Sequence, residues 1–331
     1  MKHKQFIFTC GLLLTTCLSS CGECGVHHEA KDYFLDIAYK KDFKILQMSD
    51  IHLGMEDDLE YHYRFMDLTI SEAKPDMLMV TGDLFTFATE SVMESLFNYL
   101  DSHDIPWAVT YGNHDEQVYF SISSMSNALH TKYKNCVYID HLDDDVFGNA
   151  NYVINLKDGD ITKYELFVLD SNRYRYGQKM GYDYIHQDQI DWYERMVNYS
   201  NEINGRIVPS LAFFHIPFEE YQTAYDLYQS GSSEVTHKYG ENREKVSSPK
   251  INSGFFSKLV DMKSTKATFV GHDHVNYSHI NYQGIDLVYG IHSTDRVYHD
   301  EDLLGGLLIT IHDDESLSYN RIFHSYLEVE R

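Results

Sequence analysis

The chain has 331 residues, with 51 Asp and Glu against 27 Lys and Arg, a formal net charge of −24. One domain of this length can bury a substantial core, and 43% hydrophobic against 24% charged residues is the balance of a folded globular chain, not a disordered one. The acid excess opposes non-specific nucleic-acid binding, which rests on Lys and Arg, and no apolar run beyond residue 25 approaches the roughly 20 residues of a spanning helix.

Residues 1–21 read as a secretory signal: Lys2 and Lys4 supply positive charge, Phe6 to Leu18 an apolar stretch, and small residues follow. Leu18-Ser19-Ser20-Cys21 resembles a bacterial lipobox, which implies that Cys21 is lipidated and that the exported protein is anchored to the cell envelope through that lipid. Residues 22–41 are then expected to be a tether, and 42–331 the folded domain. Beyond Cys21 only Cys24 and Cys136 remain, without the spacing of a disulfide framework or a thiolate zinc site.

From residue 43 the pattern is strand, loop, helix, repeated. Phe43 to Ser49 is a strand ending at Asp50, Asp57 to Ala73 an amphipathic helix stopped by Pro75, and Met77 to Val80 a wholly apolar strand ending at Gly82-Asp83. A helix over Glu90 to Ser102 precedes a strand over Trp107 to Tyr111, which ends at Gly112-Asn113-His114-Asp115. This βαβαβ order indicates an α/β fold. Tyr152 to Leu156 and Tyr164 to Leu169 read as a hairpin turning at Asp158-Gly159. Helices over Gln187 to Asn201 and Ser253 to Met262 precede strands Ser210 to Phe214, ending at His215, and Ala267 to Val270, ending at Gly271-His272-Asp273-His274. Strands Ile285 to Tyr289, Gly306 to Ile311 and Leu317 to Phe323 close the chain, and the stretch Tyr228 to Ile251 is expected to be a long loop.

Five strand ends therefore deliver acidic, amide or imidazole groups: Asp50-Ile51-His52, Asp83, Asn113-His114-Asp115, His215 and His272-Asp273-His274. Residues i and i+2 of an extended segment point the same way, so Asp50 with His52, and His272 with His274, can each present two groups to one spot. In α/β sheets the carboxyl ends of strands form the ligand crevice. Imidazole and oxygen donors without thiolate suit Mn, Fe or Zn.

The order and motifs resemble the calcineurin-like metallophosphoesterases over roughly residues 43–325. Phe214-His215-Ile216-Pro217, Asn252-Ser253-Gly254-Phe255, Leu169-Asp170-Ser171 and Gly271-His272-Asp273-His274-Val275-Asn276 are similar to a purple-acid-phosphatase-related branch. The resemblance implies a two-sheet β-sandwich flanked by helices (an α/β/β/α fold) and a site for two divalent metal ions. One ion would be held by Asp50, His52, Asp83 and His274, the other by Asp83, Asn113, His215 and His272, with Asp83 bridging. His114 is no ligand in that pattern; it would face the leaving-group oxygen and donate a proton or stabilise charge. Two cations about 3.5–4 Å apart can clamp a phosphate, lower the pKa of a bridging water and stabilise attacking and leaving oxygens. True purple acid phosphatases carry a tyrosine ligand three positions after the bridging Asp and lack the His of Asp-x-His. Here Thr86 and His52 stand at those places, which favours two divalent ions over ferric iron.

The reading that results is a metal-dependent phosphoester hydrolase, using a metal-bound hydroxide on a small phosphorylated substrate or a phosphoprotein. The rival is a surface-binding lipoprotein that kept the fold and lost the chemistry; a nuclease or nucleotidase is the alternative among enzymes. Asp115 is read as an orienter of a site group or as a capping residue. Arg173 and Arg175 are read first as partners of nearby acids, and Arg243, Lys245 and Lys250 as solvated. His292 is a candidate supporter of the site, and Asp143-Asp144-Asp145 lacks the Gly and terminal Glu of a calcium loop.

Overall fold

The computed structural model describes residues 28–140, 146–175 and 181–329. The signal peptide with Cys21, the tether up to residue 27 and Asp143-Asp144-Asp145 lie outside the described residues. In chain order the first strands are Phe34–Ala38 (β1), Phe43–Met48 (β2), Met77–Thr81 (β3), Trp107–Thr110 (β4), Tyr152–Asp158 (β5), Ile161–Val168 (β6), Tyr174–Arg175 (β7) and Gly181–Tyr182 (β8). Ser210–Phe213 (β9), Val235–Tyr239 (β10), Thr265–Val270 (β11), His279–Tyr282 (β12), Ile285–Tyr289 (β13), Gly305–Ile311 (β14) and Leu317–Phe323 (β15) follow. The helices are Leu59–Ala73 (α1), Glu90–Asp101 (α2), Ile122–Thr131 (α3), Gln187–Asn204 (α4), Glu220–Gln229 (α5) and Phe255–Met262 (α6). None of them is long and apolar enough to cross a membrane.

Two large sheets form among the described residues, in the orders β15-β14-β2-β3-β4 and β1-β5-β6-β9-β11-β13-β12-β10, and β7 pairs with β8 in a separate two-stranded ribbon. The strands that lead to the functional groups are parallel to one another: β2, β3 and β4 in the small sheet, β6, β9 and β11 in the large one. Alternation of side chains along a strand explains how one apolar run serves two layers. Leu166 and Val168 of β6, with Leu211 and Phe213 of β9, pack between the sheets with Ile45 of β2 and Met77 and Met79 of β3, the residues on the same face as Gln47 and Thr81. Phe167 and Ala212, the intervening residues, turn outward to Tyr193 and Met196 of α4 and to Tyr221 and Phe255. Met66 and Ile70 of α1, with Met93 and Leu96 of α2, cover the other side of the small sheet. The layers are thus helix, sheet, sheet, helix, the mixed α/β sandwich that the sequence predicts. Gln47 joins the sheets at depth, its amide donating to the Thr81 hydroxyl at 2.8 Å and the Val270 carbonyl at 3.1 Å.

Two expectations change. The stretch expected as tether, 22–41, holds a 3₁₀ turn over Ala30–Tyr33 and strand β1, which pairs in parallel with β5 from Phe34↔Val153 to Ala38↔Lys157. Tyr33 is buried with its ring edge 5.8 Å from Trp192, so the domain begins before residue 42. The charges at Lys31, Asp32 and Asp36 mask that short apolar segment in the sequence. Likewise, Tyr228 to Ile251 is not all loop: β10 lies in it, at the sheet edge against β12. Its polar, half-exposed residues give no alternating pattern, because an edge strand is satisfied by backbone pairing alone.

One buried charge lies far from the strand ends just described. Glu165 of β6 is 1% exposed; one carboxyl oxygen meets the Ser200 hydroxyl of α4 and the other has no partner. Burial pushes its pKa up from 4.5 to about 7, against the smaller pull of the Ser200 bond. The folded state therefore prefers the neutral acid, a preference fully present below pH 4.5 and lost as pH rises through about 7. Glu165→Gln is expected to raise the thermal unfolding midpoint at pH 8 by several degrees and to change it little at pH 4.5. Equal shifts at both pH values would refute the assignment.

Candidate metal centre

The carboxyl ends of β2, β3, β4, β9 and β11 converge on one spot. The chain does not stay extended there. Asp50, His52, Asp83 and His272 have φ of 56°, 52°, 50° and 75°, the left-handed region that non-glycine residues seldom adopt. The i, i+2 geometry expected of an extended segment is therefore replaced by sharp turns that swing each side chain into the crevice. Strain of this kind costs about 1–3 kcal/mol per residue and concentrates at functional sites. Cross-strand bonds hold it: Asp50 N–H donates to the Gly82 carbonyl at 3.1 Å and His52 N–H to the Asp83 carbonyl at 2.9 Å. Close approach fixes two glycines. A Cβ on Gly112 would run into the Asp83 carboxylate and amide, and one on Gly271 into the Ser49 hydroxyl and the Asp50 carboxylate.

Two sets of donor atoms result, each with all its atoms within 4.8 Å of one another: Asp50, His52, Asp83 and His274, and Asp83, His215 and His272. Asp83 belongs to both. Its Oδ2 lies 3.6 Å from His52 Nε2 and 3.1 Å from His215 Nε2, while Oδ1 accepts from the His114 amide at 2.7 Å. Asn113, the expected further ligand, donates from Nδ2 to the Tyr174 hydroxyl at 3.0 Å, which leaves its Oδ1 buried without a partner. His215 Nε2 and His272 Nε2 are also buried without a hydrogen-bond partner.

Tautomers show what the arrangement lacks. His215 Nδ1 is 2.9 Å from the Thr81 carbonyl and His274 Nδ1 is 2.8 Å from the Tyr298 carbonyl. A carbonyl only accepts, so both rings carry their proton on Nδ1 and, when neutral, a lone pair on Nε2. Those lone pairs face carboxylate oxygens, and His274 Nε2 also faces His52 Nε2 at 3.3 Å. Electron pairs aimed at one another repel unless a cation lies between them, so this donor set fits two metal ions. The charges agree. Burial opposes ionisation of Asp83, yet His215 and His52 outweigh it and hold the carboxyl well below the usual range. Burial lowers His52 to about 4 and, together with His215, lowers His272 to about 3, keeping both imidazoles neutral and able to ligate. For His215 burial is overcome by Asp83, which raises the ring to about 10 and demands positive charge at that contact.

Surrounding residues orient the donors. Asp115, fully buried, accepts four backbone N–H groups, from Asp83 at 3.1 Å, Leu84 at 2.8 Å, Phe85 at 3.1 Å and Gly112 at 2.7 Å. Of the two roles open in the sequence it is the orienter. The Ser171 hydroxyl accepts from the amides of His215 and Ile216. His274 is stacked between Tyr298, 4.2 Å away, and the buried His292, 4.4 Å away. His292 thus supports a donor without joining either set. His114 has Nδ1 2.8 Å from Gln117 Oε1 and its ring 5.1 Å from that of His52. Arg173 pairs with Glu116 at 2.6 Å and Arg175 with Asp183 at 3.6 Å, as expected of surface partners. Arg243 is not merely solvated: it pairs with Asp302, Asp300 and Glu241. The supporting contacts of Thr86, Tyr174 and Tyr298 carry no sequence signal, since each depends on a loop whose path the motif does not specify.

A helix-flanked double sheet with two donor sets sharing one carboxylate defines a class of phosphate-ester enzymes built on paired metals. The calcineurin-like phosphoesterase family profile matches residues 43–276, and the chain belongs to that family. It is 30% identical over 333 residues to a protein named probable inactive purple acid phosphatase 14 of Arabidopsis thaliana, spanning 87% of this chain and 79% of that one. Phosphatase DCR2 of Saccharomyces cerevisiae is 28% identical over 262 residues, 71% of this chain and 44% of that one. Among solved structures, a dimetal phosphatase from Danio rerio superposes with a TM-score of 0.57 at 13% identity, covering 87% of this chain and 100% of that chain, which shows the fold alone.

Thr86 sets the first donor group most directly. Its hydroxyl is 2.8 Å from His52 Nδ1, and in the tautomer with the proton on Nδ1 it accepts that N–H while the Nε2 lone pair faces Asp83 and His274. Thr86→Val keeps the shape and removes the bond. Chelator-competition titration should show affinity at the first site falling about 10-fold, with Thr86→Ser restoring it. An unchanged titration in the Val variant would remove Thr86 from this role.

Proposed function

We propose that this chain is a metal-dependent phosphoester hydrolase. The observation that carries the reading is the convergence of the unpartnered Nε2 atoms of His215 and His272 on the Asp83 carboxylate that the other donor set shares, supported by the buried, unpartnered Oδ1 of Asn113. Asp50, His52, Asp83 and His274 would hold one divalent ion, and Asp83, Asn113, His215 and His272 the other. Bound there, two such ions supply Lewis acidity to a phosphoryl group and lower the pKa of water. The chain's own part is to fix the donors: Thr81 and Tyr298 set the protons of His215 and His274, and Asp115 holds the loops that present Asp83 and Asn113. His114 donates from Nδ1 to Gln117 Oε1, so Nε2 would hold the proton for the leaving-group oxygen in the imidazolium form of the ring.

The printed name of the Arabidopsis relative favours a second reading, a binding protein without turnover. Here the donor atoms are all present, and turnover decides between the two. Protein lacking residues 1–21 is expected to cleave an aryl phosphate monoester or diester with added Mn, Zn, Fe, Co or Mg, and to lose that activity on chelation. His114→Ala should keep about two metals per chain while turnover falls by roughly 10²–10⁴. No hydrolysis with any of these metals would select the binding reading, and metal loss in His114→Ala would make that residue a ligand.

We further propose that the enzyme works outside the cytoplasmic membrane, held by a lipid on Cys21, a reading supported by the Leu18-Ser19-Ser20-Cys21 motif. Cys21→Ser should move the protein from the membrane fraction to the soluble one. Retention in the membrane fraction would point to another anchor.

A further inference from the structure

The ribbon of β7 and β8 is packed against groups of the second donor set. Each strand contributes two residues, with Tyr174 opposite Tyr182 and Arg175 opposite Gly181. Backbone pairing this short is not stable by itself, so the place of the ribbon is set by its ends. Asn172, at φ 65° in the left-handed region that asparagine tolerates, turns the chain into β7. Its side-chain amide donates to the Tyr184 carbonyl, just beyond β8, at 2.8 Å. The Asp183 amide donates to the Arg173 carbonyl at 2.7 Å, and Arg173 pairs at 2.6 Å with Glu116, in the loop that follows Asn113 and His114.

Both tyrosines of the ribbon touch this donor group. The Tyr174 hydroxyl accepts from Asn113 Nδ2 at 3.0 Å, and its ring lies edge-on to His114 with 6.5 Å between centroids. Tyr182, 5.3 Å from Tyr174, meets His272 edge-on at 4.4 Å with the planes 89° apart. Asn113 and His272 are buried, and Oδ1 of the one and Nε2 of the other have no partner. The first donor set leans on other loops, through Thr86 on His52 and through Tyr298 and His292 on His274.

The amide of Asn113 can face a cation usefully in one orientation only. Oδ1 offers lone pairs, whereas Nδ2 offers two hydrogens and no lone pair. With Oδ1 turned to an ion, Nδ2 points away into the protein and needs an acceptor, since an unsatisfied buried N–H is costly. Tyr174 is that acceptor.

Resting on the two-metal reading above, we propose that Tyr174 is a positioning residue for the second metal ion, holding Asn113 with Oδ1 available to it. The ribbon thereby sets the affinity of the second site separately from that of the first. Tyr182 backs both Tyr174 and His272.

Chelator-competition titration of the metal-free protein with zinc reads the two binding steps without turnover. Tyr174→Phe keeps the ring and removes the hydroxyl, and is expected to weaken one step about 10-fold while leaving the other unchanged. Asn113→Ala alone should weaken the same step, and adding Tyr174→Phe to it should cause no further loss, because the group that Tyr174 orients is gone. Equal weakening of both steps, an unchanged titration, or the same additional loss in the Asn113→Ala background would overturn the proposal. A single binding step in the parent protein would overturn it together with the two-metal reading. Aryl phosphate turnover, measured alongside, reports on hydrolysis alone. Its absence with the one-step shift intact would sink the hydrolase reading and leave the role of Tyr174 standing.

Discussion

The Asp83 carboxylate is the group on which the rest of the site depends. One oxygen faces His52 and His215 and the other takes the His114 amide, so a single side chain ties both donor sets to the loop that carries His114. That position exists because Gly82 and Asp83 turn in the left-handed region, at φ 80° and 50°, and because Gly112 has no Cβ to obstruct the carboxylate. Asp115 then clamps the turn from beneath. Four amide donors on one buried carboxylate make the ends of β3 and β4 a single rigid unit.

Burying this many polar atoms is costly unless each finds a partner. The residues around the donors leave a selective deficit: each Nδ1 that faces Thr81, Thr86 or Tyr298 has a partner, while Nε2 of His215 and of His272 has none. Binding of cations is thereby coupled to the stability of the strained turns, because ions that bind the folded chain stabilise it by mass action. Two divalent ions held there against two carboxylates would make a positive centre inside a negative surface.

Thr86 and His52 act as a linked pair in this chain. The place where the resemblance to purple acid phosphatases would put a phenolate ligand holds a hydroxyl instead, and that hydroxyl orients an imidazole. A neutral nitrogen in place of an anionic oxygen would favour divalent ions at the first site. Phe87 follows immediately after Thr86 and is exposed. The turn that delivers the hydroxyl inward leaves the next side chain exposed.

Much of this was legible in the amino-acid sequence. The alternation of apolar runs and helical stretches gave the α/β order, and Asp50, His52, Asp83, Asn113, His114, His215, His272 and His274 stood out because each follows a strand. Short-range chemistry suffices for that, since glycine turns and strand ends are local. What the sequence could not supply was the path of the backbone between them. The left-handed turns at Asp50, His52, Asp83 and His272 replaced the extended geometry that a period of two implies. Likewise β1 and β10 are strands only because β5 and β12 offer them an edge, a condition set by residues more than 40 positions away. Asp115, Thr86 and Tyr298 belong to the same class: their roles are fixed by amides, an imidazole and a ring brought to them through the packing of two sheets. Residue type and order determined which groups could ligate; only tertiary packing decided which nitrogen of each ring faces inward.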